Sequence, residues 1–251
     1  MCLVLIAYKV HPEYPLIVAA NRDEFFQRPT APAHYWEDHP DIFAGRDLEK
    51  MGTWMGVTNS GRFAALTNYR DPKEETEGKR SRGELVADAL QYKGQLKEYM
   101  VGLMNNNELY PGYNLLAGNH KELFYYSNIG RELLKVEPGI YGVSNHLLNT
   151  EWPKVRIGKE GLSQIINHRP ENMAEGLLNL LKNADPAPDE LLPNTGVSLE
   201  WERMLSPLHI KSEEYGTRSS TVMLMADKEI QYTERVFSKG AVNEHHQIIH
   251  L

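Results

Sequence analysis

The chain has 251 residues, of which 41% are hydrophobic and 24% charged, with a formal net charge of −7 and one cysteine. This length accommodates a single domain, expected over residues 1–251, whose core needs neither a disulfide nor a structural metal. The negative balance argues against nucleic acid as a partner, because a phosphate-binding face needs basic residues, and a lone cysteine fits a reducing compartment.

In chain order, Leu3 to Tyr8 and Leu16 to Ala20 are apolar runs joined by the turn-forming His11-Pro12-Glu13-Tyr14-Pro15. They read as neighbouring buried strands. No run reaches the ~18 apolar residues a bilayer span requires. The opening MCLVLIAYKV lacks a basic n-region and a small-residue cleavage site. No transmembrane segment or signal peptide is therefore expected, and the expected location is cytoplasmic. Residues 28–53 are rich in Pro, His, Asp and Gly with little periodicity and read as a long covering loop. Thr53 to Thr58 and Arg62 to Asn68 read as a strand pair around Asn59-Ser60-Gly61, followed by a charged connection over 71–82. Gly83 to Tyr92 and Gln95 to Met104 have helical spacing. Tyr113 to Ala117 and Leu123 to Ser127 read as a hairpin turned at Gly118-Asn119, and Ile140 to Ser144 as a short strand. Trp152 to Asn167 and Glu171 to Lys182 read as helices broken by Arg169-Pro170, and 185–198 as a Pro-rich loop. Ser219 to Ala226 and Ile230 to Val236 close the chain as strands. Strands and helices in blocks, without regular alternation, suit an α+β protein with antiparallel sheets and not a parallel one.

Cys2 has two readings. It is either a small hydrophobe at the start of a strand or, once Met1 is removed, a residue carrying both a thiol and a free α-amino group. That amine, with an ordinary pKa near ~8, can serve as the base for its own thiol. Asn21-Arg22-Asp23-Glu24 follows a buried strand and is either a solvated turn or a reactive cluster at a sheet edge. If the first two strands pair as a hairpin, Cys2 and Asp23 share its open end. Asn145 ends a strand and either terminates it or donates to an oxyanion. Arg218 is either a surface residue or an anion partner. His34, Met51, His146, His245 and His246 lie in no recognised ligand spacing, so no metal is expected. Gly-X-Ser-X-Gly and a dinucleotide-binding glycine loop are absent.

Several blocks together carry a family resemblance. They are Met1-Cys2 before an apolar strand, Ala19-Ala20-Asn21-Arg22-Asp23-Glu24-Phe25 and Arg28-Pro29, then Gly45-Arg46-Asp47, Gly52-Thr53-Trp54-Met55-Gly56 and Ala64-Ala65-Leu66-Thr67-Asn68-Tyr69. Further on stand Gly142-Val143-Ser144-Asn145, Trp152-Pro153-Lys154 and Tyr215-Gly216-Thr217-Arg218. In these the chain resembles the NRDE family, the family of transport and Golgi organisation protein 2. That family is similar to N-terminal-nucleophile cysteine hydrolases of the penicillin V acylase, bile salt hydrolase and acid ceramidase group. The resemblance implies an αββα sandwich, two antiparallel sheets face to face with helices outside. It implies catalytic roles for Cys2, Asp23, Asn145 and Arg218, and substrate contacts at Asn21, Arg22, Glu24, Arg46, Trp54 and Asn68. The hydrolase group carries an Arg three residues before its Asp. Here that position is Ala20, and Arg22 is expected to enter from another direction or to point elsewhere.

Two functions follow as expectations. The first is an N-terminal-cysteine hydrolase or acyltransferase acting on a small N-acyl amide, with no required cofactor. The second is a haem or acyl-coenzyme A binding or trafficking protein on the same fold, in which the 28–53 segment with Tyr35-Trp36 forms a lid. The partner in either case is a small acyl or haem-like ligand, and the sequence does not set an oligomeric state.

Overall fold

Residues 2–168, 170–238 and 241–251 are described by a computed structural model. The first two strands, β1 (Cys2–Tyr8) and β2 (Leu16–Phe25), pair antiparallel with Cys2 opposite Arg22. Both are apolar on successive residues because both faces are covered. Leu3, Leu5 and Ala7 face one hydrophobic cluster, and Val4, Ile6 and Tyr8 face another.

The segment expected as a loop over 28–53 is instead a strand pair, β3 (Thr30–Tyr35) and β4 (Ile42–Asp47). Pro32 and a register break between Ala31 and His34 hide the strand alternation. Trp36, assigned above to a lid, is buried in the core and donates its indole N–H to the Ala44 carbonyl. The next pair, β5 (Met55–Thr58) and β6 (Phe63–Asn68), turns where expected, with Gly61 at a φ of 78°. Helices α1 (Gly83–Gln91) and α2 (Leu96–Met104) follow, then β7 (Tyr113–Gly118), β8 (Leu123–Ser127), the unexpected β9 (Leu133–Lys135) and β10 (Gly139–Val143). Helices α3 (Pro153–His168) and α4 (Met173–Leu181) match their spacing; of the break between them, Arg169 lies outside the described residues. A short helix, α5 (Leu199–Leu205), was not foreseen. The chain closes with β11 (Tyr215–Met225), β12 (Glu229–Ser238) and a further unexpected strand, β13 (Ala241–His250).

Among the described residues these strands make two antiparallel sheets, ordered β10-β1-β2-β11-β12-β13 and β3-β4-β5-β6-β7-β8-β9. One hydrophobic cluster lies between the sheets, holding Val4, Val18, Val57, Phe63, Leu116 and Met223. A second lies between the seven-stranded sheet and α1 with α2, and a third between the six-stranded sheet and α3 with α4. The layers are therefore helix, sheet, sheet, helix, the α+β sandwich expected from the resemblance. No described helix is long and apolar enough to cross a membrane.

Candidate active site

The polar end of β2 does not trail into a turn. Asn21, Arg22 and Asp23 are all buried within the strand, and each is accommodated differently. Asn21 points to the helical side, donating to the Leu181 carbonyl at 2.9 Å and the Leu208 carbonyl at 2.7 Å, while Ser220 Oγ donates to its Oδ1 at 2.6 Å. Its expected role as a substrate contact is thereby corrected: it ties α4 and the 208 segment to the sheet.

Arg22 alternates to the opposite face. Directly opposed residues of an antiparallel pair share a face, so Arg22 and Cys2 point the same way. Side chains two apart on a strand also share a face. Arg22 therefore emerges on the same side as Ala20, one strand step further along, and not from another direction. Its guanidinium stacks 4.2 Å from the centre of Trp54, a distance at which the ring attracts the cation. Among the described residues its nearest carboxylate, Asp47, is 3.9 Å away, and Nη1 is buried with no hydrogen-bond partner.

Asp23 accepts from Thr217 Oγ1 at 2.7 Å across the β2–β11 pair. Burial pushes its carboxyl up, and the cationic Lys154 opposes that most strongly. Lys154 is itself buried, with Nζ making no hydrogen bond among the described residues; burial brings it down to about 8, and Asp23 acts against that fall. Nearby, Arg70 and Glu202 form a buried ion pair at 2.8 Å, with Arg70 4.9 Å from the centre of Trp152.

Cys2 is partly buried. Burial raises its thiol, Asp23 adds to the rise, and Arg22 opposes it. Its carbonyl accepts from Ser144 Oγ at 3.0 Å. Cys2, Arg22, Asp23, Glu24, Trp54 and Asn68 line one cavity of about 550 Å³, with Arg28, Lys50, Lys79, Arg80 and Arg82 among its other walls. Glycines make room for this wall. A side chain at Gly45 would collide with the Trp54 ring, and a Cβ at Gly52 would stand 2.5 Å from the Gly83 carbonyl carbon at the head of α1.

The remaining expected residues lie outside the cavity. Asn145 is fully buried, and its Nδ2 donates to the backbone carbonyl of Asn68 at 3.0 Å. In this arrangement it holds Asn68 and does not face the cavity. Arg218 occupies the register shift between Thr217 and Ser219. From there it donates to the Phe25 and Arg28 carbonyls at 2.9 and 3.0 Å, supporting the corner after β2 from behind. Arg46 is a correction: it is paired with both oxygens of Asp38, stacked 4.0 Å from the centre of Trp36, and absent from the cavity.

Sequence reasoning passed over Lys154, Arg82, Thr217 and the Arg70–Glu202 pair as site residues. A signal for the first was present. Lys154, Gly158, Leu162 and Ile166 fall on one four-residue phase of α3 and all are buried, so a lysine stands on the apolar stripe.

The architecture defines the class: an αββα sandwich with a cysteine and an acidic residue at one end of paired central strands. Residues 1–239 match the model of the family Transport and Golgi organisation 2, and the chain belongs to that family. It is 34% identical to the human Transport and Golgi organization protein 2 homolog and 33% identical to that of Bos taurus, each alignment covering 94% of this chain and 92% of the relative. The Drosophila melanogaster Transport and Golgi organization protein 2 is 29% identical over 90% of this chain and 88% of its own length. Among solved structures, the Caenorhabditis elegans N-acylethanolamine-hydrolyzing acid amidase ortholog superposes with a TM-score of 0.49 at 10% identity, covering 89% of this chain and 92% of that one. A variant of the conjugated bile acid hydrolase of Clostridium perfringens gives 0.45 at 10% identity, covering 100% and 96%.

Proposed function

We propose that the chain is an N-terminal-cysteine amidohydrolase or acyltransferase acting on a small N-acyl compound. The observation that carries this reading is the convergence of Cys2, Arg22, Asp23 and Asn68 on one cavity. After removal of Met1, the Cys2 thiol gives its proton to the α-amino group and attacks the amide carbonyl carbon. A buried thiol raised by desolvation needs such a base. Asp23, held by Thr217, orients the amine. The oxyanion receives hydrogen bonds from the Asn68 side-chain amide, whose backbone Asn145 fixes. The amine then protonates the leaving nitrogen, an acyl thioester remains on Cys2, and water or a second acceptor releases the acyl group.

A panel of N-acyl amides, with intact mass spectrometry before and after mixing, tests this. Loss of Met1, a transient acyl adduct and turnover abolished in Cys2→Ala are expected. An unprocessed N-terminus, or turnover equal in Cys2→Ala, rejects the mechanism.

One observation favours a second reading, a carrier of acyl-coenzyme A or haem. Six basic side chains line the cavity, Lys50 among them with no ion-pair partner within 4.0 Å among the described residues, and a phosphate or propionate would meet them. On that reading calorimetry shows binding that persists in Cys2→Ala and weakens in Arg82→Ala; absence of heat with both ligands rejects it.

A further inference from the structure

Among the described residues the two open sheets have four edge strands, each with backbone N–H and C=O groups that no strand pairs. Three of these edges are blunted. β3 carries Pro32 and a register break, and β9 has only three residues. β10 has five residues, and at Gly142 its backbone N–H donates to the Asn149 side chain while its carbonyl accepts from the Asn149 N–H.

The fourth edge, β13, is different. It runs ten residues, pairs with β12 without a register break, and contains neither proline nor lysine. Its backbone parity can be read directly. The Leu251 N–H donates to the Lys228 carbonyl, so odd residues turn their groups onto β12. The Ile248 carbonyl instead takes the Gln247 side-chain amide, so even residues turn theirs outward. The outward set is Val242, Glu244, His246, Ile248 and His250. Val242 is 62% exposed and Ile248 42%.

We propose that β13 pairs antiparallel with β13 of a second copy of this chain, about a two-fold axis through His245, joining the two six-stranded sheets into one. Outward backbone groups must meet outward groups, so even residues pair with even residues and the axis passes through a residue. An axis at His245 sets Val242 opposite Ile248, Glu244 opposite His246, and Asn243 opposite Gln247. The exposed apolar side chains then cover each other, and a carboxylate meets an imidazole. An axis at His246 would set Glu244 against Ile248. One at Gln247 would set His246 against Ile248 and leave Val242 uncovered. The contact is isologous and uses the same edge of each copy, the one unprotected edge among the described strands, so it closes at the dimer. It does not depend on the chemistry assigned to Cys2.

Light scattering across micromolar to hundred-micromolar protein tests the proposal. The wild-type mass is expected to double with concentration. Ile248→Lys and His246→Pro are expected to stay monomeric with unchanged circular dichroism; the proline removes a donor that faces only the second copy. Register is read by cysteines in a Cys2→Ala background. His245→Cys places two thiols across the axis in a non-hydrogen-bonded pair, with Cα atoms roughly 4.5 Å apart and within disulfide reach. It is expected to cross-link on oxidation, whereas Asn243→Cys, which faces Gln247, is not. A monomer throughout, a dimer that survives Ile248→Lys, or cross-linking by Asn243→Cys in place of His245→Cys overturns the proposal.

Discussion

Arg22 shows how one residue combines burial, charge and purpose. A buried guanidinium with a nitrogen unpartnered among the described residues is costly, because the attraction of Trp54 and a carboxylate 3.9 Å away returns only part of its hydration. Such a group is poised to accept hydrogen bonds from nothing and to donate them to an incoming oxygen. Arg22→Met is therefore expected to lower kcat/KM about 10- to 100-fold, the loss of one charged hydrogen bond of about 1.5–3 kcal/mol. Its melting temperature should stay level or rise, since the apolar substitute carries no desolvation cost; calorimetry alongside kinetics reads both. His209 offers a separate test by pH. It stacks edge-on against Phe237 at 4.8 Å, and burial brings its pKa down to about 4. The unfolded chain then binds a proton in the window between about 6.5 and about 4 that the folded chain does not, so stability falls as pH drops through that window. His209→Phe is expected to flatten this part of a curve of urea midpoint against pH. Lys154 belongs at the same scale. Its place on the apolar stripe of α3 was legible as a periodicity, but its neighbour Asp23 lies on another element, which spacing along the chain does not reveal.

At the scale of elements, the cavity depends on close backbone approaches that only small residues permit. Gly52 lies against Gly83, and the Thr53 N–H donates to the Gly83 carbonyl at 3.2 Å. Gly52→Ala would push the head of α1 outward and carry Arg82 with it. We expect a loss of about 1–3 kcal/mol in chemical denaturation, the usual range for overpacking, and a raised KM with a smaller change in kcat. The bulge at Arg218 acts in a similar way from the other side, turning a strand residue to hold the corner after β2. Elements with apolar runs or regular periods were legible: β1, β2, β5 to β8, α1 to α4 and β10 to β12. The pair β3–β4 was not, because Pro32 and the break after Ala31 interrupt the two-residue alternation by which a strand is recognised. β13 was missed for another reason. At this edge Asn243, Glu244 and His246 are exposed and His245 is half-buried, so no hydrophobic pattern marks them.

The whole molecule separates stability from chemistry along the strands. Phe63 is fully buried between the sheets at the start of β6, whereas Asn68 ends the same strand at the cavity. The five residue steps between them span roughly 17 Å. Phe63→Ala is expected to cost about 3–5 kcal/mol, the range for emptying a packed aromatic site, measured by urea unfolding. The activity of the folded fraction should be unchanged; a parallel loss of kcat would show that the core and the cavity are coupled. By itself, the amino-acid sequence determined the family, the α+β class and the candidate nucleophile, because short blocks and hydrophobic periods are local properties of the chain. Only the tertiary structure decided which polar residues share the cavity. It turned Asn21 and Arg46 away, made Asn145 and Arg218 supports, and set Arg22 across from Cys2. The physical reason is that strand register and facing assign a side chain to one surface or the other, and both are fixed by pairing between segments far apart in the chain.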